Sequence, residues 1–354
     1  MKNRLVYITL STLFLLILLI SSTSAEILIG QPNARYNLGD NFDIKIEVKR
    51  VVETNDFLEV NIACDSTSVA LYKGPLRVQI GKTENISIKA KLDRSLISDT
   101  EGSSKVNTKY AEESVQSSSF EISDKIDLSV KLSANTFNPG DMVYISGNAK
   151  KQNGDKLNGF LQISLSGTNV SFLASQLTDS FNYSFYIPKD QPANIYGLAV
   201  KVYEREPSGE IANEGIHSET IRVNQVVTTV DVSLNSAFII PGENLSYGII
   251  LKDQSGQEII TDVNSIVYTY QDKKEVFIRK NVKSGDVSLV EIPYNATPGI
   301  WSIEGFYNSK SSERTFTVEP VSKASFHIEG SELVIINEGN VEKIRELGKT
   351  NSDF

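Results

Sequence analysis

The sequence has little of what most often carries chemistry: one cysteine, two histidines, two methionines and one tryptophan in 354 residues. With Cys64 alone, no intrachain disulfide forms, so the domains must stand on hydrophobic packing. Cys64 ends the alternating stretch Glu59-Val60-Asn61-Ile62-Ala63 and is expected to be a buried strand thiol. It lies too far from the N-terminal apolar run to be a lipid-attachment site. His217 and His327 have no short spacing to a cluster of Cys, Asp or Glu, whereas zinc needs three or four such ligands. Neither a Gly-x-Ser-x-Gly elbow nor a Gly-rich phosphate loop followed by Lys-Ser/Thr occurs. Basic stripes with interleaved aromatics are absent, and a net charge of −9 repels nucleic acid. The expectation is a non-enzyme with no catalytic, cofactor-binding or metal-binding residues, no cofactor and no nucleic-acid partner.

What is present begins with an export pattern. Met1-Lys2-Asn3-Arg4 is positive, Leu5 to Ile20 is almost wholly apolar, and Ser21-Ser22-Thr23-Ser24-Ala25 is small. That is the order of a secretory signal, and cleavage is expected after Ala25. The apolar run is short for a spanning helix, which takes about 20 residues, and an uncleaved anchor is the second reading. Cleavage removes Lys2 and Arg4, leaving 33 basic against 44 acidic residues and a net charge of −11. The expected location is extracytoplasmic, secreted or at the cell surface. Membrane association is expected only through an uncleaved leader or a C-terminal anchor beyond Phe354.

A chain this long fits two to four domains of about 100–150 residues. Self-similarity at a period near one hundred residues sets the number. Asn138-Pro139-Gly140-Asp141 recurs as Ile240-Pro241-Gly242-Glu243, and Asn37-Leu38-Gly39-Asp40 is a third copy without the proline. Pro then Gly at the central positions is the chemistry of a type II turn: Pro fixes φ, and Gly accepts φ > 0. Alternating strands follow each copy: Phe42, Ile44, Ile46, Val48; Val143, Ile145, Gly147, Ala149; and Leu245, Tyr247, Ile249, Leu251. Asn153-Gly154 and Ser255-Gly256 mark turns, Ile187-Pro188 and Ile292-Pro293 are 105 apart, and Tyr196 and Trp301 each open a further alternating strand. About seven short strands fall in each unit. The predicted fold is all-β, three tandem seven-stranded antiparallel sandwiches, Ig-like or fibronectin-III-like, after an N-terminal signal helix. The expected boundaries are 1–25 signal, 26–123, 124–225 and 226–320 domains, and 321–354 an incomplete β segment or tail.

The remaining candidates have structural readings. Glu112-Glu113 and the pair Glu204 and Glu206 sit in polar turns or strand ends. Asp40, Asp141 and Glu243 supply one acid per turn, short of the six or more oxygens calcium needs, and are read as turn residues. Asn85, Asn169, Asn182, Asn244 and Asn295 open Asn-x-Ser/Thr sequons. Tyr183, Tyr186, Tyr268 and Tyr270 are candidates for an aromatic platform, with cross-strand packing as the plainer reading. Ser95 to Ser119, rich in Ser, Thr and Glu, is expected to hold a mobile loop.

Pro139-Gly140-Asp141 with Ala193-Asn194-Ile195-Tyr196-Gly197, and Pro241-Gly242-Glu243 with Thr297-Pro298-Gly299-Ile300-Trp301, resemble macroglobulin-type Ig-like domains and Ig-like repeats of archaeal and bacterial surface proteins. Asn337-Glu338-Gly339-Asn340-Val341 resembles a turn of surface-layer-like archaeal domains. The resemblance implies fold and location. The Cys-Gly-Glu-Gln thioester of protease-trapping macroglobulins is absent, Cys64 lying in Ala63-Cys64-Asp65, so covalent trapping is not carried over. The function expected is a structural or adhesive array that binds a protein or glycan at the cell surface through loops and strand edges. The alternatives are a carbohydrate-binding accessory region of an exported hydrolase and a non-thioester protease inhibitor.

Overall fold

The computed structural model describes residues 26–64, 67–97, 101–269 and 275–342. Residues 1–25, where the export signal is expected, Tyr270 and residues 343–354 lie outside the described residues. Among those described, no helix is long and apolar enough to cross a membrane.

Strands dominate, in three successive sets. The first holds β1 (Glu26–Ile29), β2 (Arg35–Asn37), β3 (Asn41–Lys49), β4 (Thr54–Cys64), β5 (Thr67–Val78), β6 (Thr83–Lys91), one helical turn α1 (Arg94–Ile97), β7 (Gly102–Tyr110), β8 (Glu113–Gln116) and β9 (Phe120–Ser123). The second holds β10 (Ile126–Leu132), β11 (Thr136–Phe137), β12 (Met142–Lys151), β13 (Gly159–Leu165), β14 (Ser171–Leu177), β15 (Ser180–Tyr186), β16 (Asn194–Arg205) and β17 (Ile211–Val223). The third holds β18 (Val227–Leu234), β19 (Phe238–Ile239), β20 (Asn244–Asp253), β21 (Glu258–Ile259), β22 (Asp262–Tyr268), β23 (Val276–Lys283), β24 (Val287–Glu291), β25 (Gly299–Tyr307) and β26 (Lys310–Val318). A hairpin of β27 (Ala324–Glu329) and β28 (Glu332–Asn337) follows.

The fold is an all-β sandwich, and its wiring repeats. One sheet runs β1-β3-β6, β10-β12-β15 or β18-β20-β24; the other runs β2-β9-β7-β4-β5, β11-β17-β16-β13-β14 or β19-β26-β25-β22-β23. One feature departs from the expected antiparallel scheme. The opening strand is split, and its second piece joins the other sheet, parallel to the last strand: Tyr36 opposite Ile122, Phe137 opposite Val223, Ile239 opposite Val318. Pieces of two or three residues are too short to show a period, which is why alternation missed them.

Inward faces follow the alternation. Phe42, Ile44, Ile46 and Val48 are at most 1% exposed, while Asp43, Lys45, Glu47 and Lys49 between them face water. Leu245, Tyr247, Ile249 and Leu251 repeat this, as do Val143, Ile145 and Ala149. Gly147 lacks a side chain for a reason: a Cβ there meets the Phe181 ring at 2.4 Å and the Ser129 carbonyl at 2.5 Å. Tyr36, Phe42 and Phe120 form one aromatic nucleus, with centroids 5.3–5.6 Å apart. Trp301 centres another with Phe277 and Phe316, its indole N–H donating to Thr297 O at 2.9 Å. Each buried side chain of this size contributes roughly 1.5–3 kcal/mol.

The expected mobile loop in 95–119 is not found over the described residues, 98–100 lying outside them. Its described part holds α1, β8 and β7, a strand paired on both sides. Small polar side chains concealed it: Ser104 and Thr108 occupy inward positions beside Val106 and Tyr110, all four at most 1% exposed.

Cα proximity divides the described chain into two compact units, 26–133 with 144–184 and 196–220, and 134–143 with 185–195 and 221–342.

Candidate functional site

The repeated turns are the first landmark. Gly39, Gly140 and Gly242 have φ of 84°, 87° and 91°. Asp40, Asp141 and Glu243 each donate N–H to the carbonyl three residues back at 3.1 Å, closing a turn that needs positive φ at its third residue. Asp40 and Asp141 also cap the turn, Oδ2 accepting the N–H of Asn37 at 2.6 Å and of Asn138 at 2.7 Å. Each turn is then bolted to a distant strand end. Gly39, Gly140 and Gly242 donate to Leu92, Ile187 and Ile292 O, whose own N–H groups donate back to Asp40, Asp141 and Glu243 O at 2.9, 2.9 and 3.0 Å. The Ile-Pro landmarks are thus partners of the Pro-Gly turns, with Leu92 as the unmarked copy.

In the first unit this turn becomes a joint with the following strand set. Asn37 is fully buried, and its Nδ2 donates to Lys125 O at 2.9 Å and Asn213 Oδ1 at 3.0 Å while its Oδ1 accepts Asn153 N–H at 2.9 Å. Asn213, also fully buried, donates to Leu38 O and Glu204 Oε2. Asp40 and Lys151 pair at 2.8 Å with side chains 10% and 12% exposed, and Asn153 Nδ2 adds to Asp40. Burial pulls the Lys151 pKa down, but the hydrogen bond and charge of Asp40, with Glu204 and Asp155, outweigh it and hold the ammonium above its ordinary value. Glu206 accepts the Arg94 N–H at 3.0 Å, and the Arg94 guanidinium reaches Ile211 O, Glu101 and Asp124.

The second unit uses one amide for the same purpose, twice. Gln254 Nε2 donates to Gln191 O and Asn224 O, both at 3.0 Å. Asn340 Nδ2 donates to Ala296 O at 3.0 Å and Glu319 O at 2.9 Å. The acceptors correspond: Gln191 and Ala296 each close a turn begun by a proline, and Asn224 and Glu319 each follow the last strand and bond back to Phe137 or Ile239 O. Beside Gln254, Asp253 is 2% exposed and takes bonds from Gln225, Ser255 and Gln257. Desolvation raises its pKa, but the bonds from Gln225, Ser255 and Gln257 dominate and depress it. Sequence reading missed Asn37, Asn213, Gln254 and Gln152, whose Oε1 accepts the Ser123 hydroxyl at 2.8 Å. The available signal was that Gln152 and Gln254 directly precede turn dipeptides 102 residues apart.

Other candidates fall apart spatially or into structural roles. Glu204 and Glu206 are acceptors of the first joint, and Glu113 pairs with Arg50 at 3.2 Å. Cys64 is a buried strand thiol against Ser104. His217 lies 3.6 Å from Glu219, and His327 stands exposed on β27. Among the described residues, no three His, Cys, Asp or Glu side chains gather as a metal site. Tyr183 stacks on Phe172 at 3.7 Å, Tyr268 is buried and donates to Glu304, and Tyr186 is 64% exposed. The two packed rings leave no platform among the three described tyrosines, Tyr270 lying outside the described residues. Asn85, Asn169, Asn182, Asn244 and Asn295 are all exposed. An open polar cleft of about 510 Å³ lies beside the first joint, lined by Asn33, Arg35, Asp40, Asn153 and Asp155 among others. It holds no nucleophile with an adjacent base.

No family model and no curated protein matches the chain. Among solved structures it is similar to alpha-2-macroglobulin of E. coli in the native conformation (11% identity, 84% of this chain and 22% of that one, TM-score 0.23) and in the trypsin-activated form (12%, 86% and 25%, 0.23). It is also similar to a beta-glucosidase from Listeria innocua (11%, 28% and 16%, 0.24). The chain spans a quarter or less of these neighbours, and at this identity and TM-score they assign it to no family.

Proposed function

We propose that the chain is an exported, non-enzymatic array of three Ig-like domains, 26–123, 124–225 and 226–320. It would present loops and strand edges to a protein or glycan outside the cytoplasm. The observation that carries this reading is the recurrent joint. Gln254 and Asn340 each spend one side-chain amide on two backbone carbonyls at corresponding places, and Asn37, Asn213 and Asn153 do similar work in the first unit. Amides in fixed geometry, buried at Asn37 and Asn213 and half-buried at Asn153, Gln254 and Asn340, hold neighbouring modules in register, which is what a presenting array requires. Glu204 and Glu206, a carboxylate pair singled out in the sequence, are engaged in that joint.

The test is a C-terminal alkaline phosphatase fusion, active only outside the cytoplasm, combined with protease treatment of intact cells. Enzyme activity of the fusion and loss of the protein to added protease are expected. An inactive fusion, or turnover of glycosides, peptides or esters by the purified chain, overturns the reading.

A further inference from the structure

The chain enters the first strand set at Glu26, paired with Lys49. Beside this entry lie the loop 50–53 and the turn 79–82, tied together by Gly81 N–H donating to Arg50 O at 3.0 Å. Three aliphatic side chains stand in water here: Val51 at 55%, Val52 at 57% and Ile80 at 68% exposure. Counted along the equivalent strands β3, β12 and β20, Val51-Val52 hold the places of Gln152-Asn153 and Gln254-Ser255. Those are residues of the polar joints. These two positions are therefore polar where a preceding set is met. They are apolar where the chain instead runs back through Ser21–Ala25 into Leu5–Ile20. Five residues span at most about 18 Å, so a bilayer holding the apolar run holds this end of the first set close to its surface.

We propose that loops 50–53 and 79–82 form a lipid-contact edge, seating Val51, Val52 and Ile80 in the boundary between headgroups and acyl chains while the N-terminal segment is in the membrane. Lys49, Arg50, Arg77 and Lys82 lie at the edge, and Glu26, Glu53, Glu84 and Glu113 offset them, Arg77 pairing with Glu53 and Arg50 with Glu113, so the attraction is apolar and does not require anionic lipid. Three aliphatic side chains bind weakly alone; the tether supplies the effective concentration. The edge fixes how the first domain stands on the membrane, and the proposal rests on the extracytoplasmic placement given above together with the second reading of the export pattern, in which the N-terminal segment stays uncleaved as an anchor.

The full chain is reconstituted through its own N-terminal segment into phosphatidylcholine vesicles, with Val52→Trp or Ile80→Trp as probe; the native Trp301 is 2% exposed. Leu173→Trp, at an exposed site on β14, is the control. Emission of V52W and I80W is expected to shift to the blue and to be quenched by shallow-brominated lipids at least about twofold more than L173W, with and without phosphatidylserine. Val51→Ser in V52W, with an unchanged circular dichroism spectrum, reduces the quenching. Unquenched V52W and I80W in chains that float with vesicles overturn the proposal, as does quenching that appears only with phosphatidylserine. Concentration-dependent dimers without quenching overturn it in favour of a second copy. Failure of the extracytoplasmic placement is read separately, from the fusion and the protease treatment of cells.

Discussion

Asn37→Ala tests whether the first joint is held by its buried amides. The side chain is fully buried, and its removal strands three groups: Lys125 O, Asn213 Oδ1 and Asn153 N–H. A buried polar group left without a partner costs about 1–3 kcal/mol. The Lys125 carbonyl keeps a second lone pair, and the vacated space admits a water that recovers part of the loss. The expected cost is therefore about 3–5 kcal/mol, near the high end for a single substitution. The turn itself survives, because its bonds from Asp40 N–H and to Asp40 Oδ2 use Asn37 backbone atoms. Asn138→Ala is the internal control, at the same turn position but exposed, with a surface bond from Asn224. It is expected to cost less than about 1 kcal/mol. Urea unfolding of the purified chain, followed by near-ultraviolet circular dichroism, measures both. Calorimetry of Asn37→Ala is expected to show a transition lowered by about 10 °C. Equal costs for the two variants, or a cost below about 1 kcal/mol for Asn37→Ala, refute the polar-joint argument.

Three further outcomes follow from the geometry. Gly39→Ala and Gly140→Ala force a Cβ into positive φ with no heavy atom of the surroundings closer than 3.6 Å, so each is expected to cost about 1–2 kcal/mol in chemical denaturation, alike within error. Gly147→Ala meets both the Phe181 ring and the Ser129 carbonyl, and is expected to exceed either turn variant on the same measurement. Asp253 has a folded pKa below the usual 3.8, so its contribution is present above the unfolded pKa and is lost as pH falls through the folded value; Asp253→Asn is expected to flatten the fall in stability between about pH 5 and pH 2, read from urea midpoints.

The sheets were legible because burial alternates with the period of the pleat. Phe42, Ile44, Ile46 and Val48, and their counterparts after the two Pro-Gly turns, declared both strand and face. β7 was not legible: Ser104 and Thr108 are inward yet polar, and Gly102-Ser103-Ser104 reads as loop. The joints were illegible for a different reason. Asn and Gln look alike whether they solvate a surface or bridge two carbonyls, and a bond between Asn37 and Asn213 spans 176 residues, which no local period reports. The three aliphatic residues at the entry of the first set were hidden by the opposite ambiguity, since isolated apolar residues in loops are ordinary until their equivalents in the other repeats are compared.

Asp40 shows how a joint is added to a repeat without rebuilding it. Its Oδ2 caps the turn through Asn37 N–H, as Asp141 does for Asn138. Only Asp40 also takes Lys151 on Oδ1 and Asn153 on Oδ2. Glu243, one methylene longer, closes its turn through the backbone alone, and its neighbouring contact is supplied by Asn340 on Ala296 and Glu319. A buried ion pair such as Asp40–Lys151 adds little net stability over an apolar pair of the same volume. Its gain lies in direction: a carboxylate already fixed by its own turn presents lone pairs in one orientation, and a lysine and an asparagine from the next strand set satisfy them in one arrangement. Conformational specificity follows from the prior rigidity of the turn, which is why the positive-φ glycine and the acid after it recur together while the partner of the acid does not.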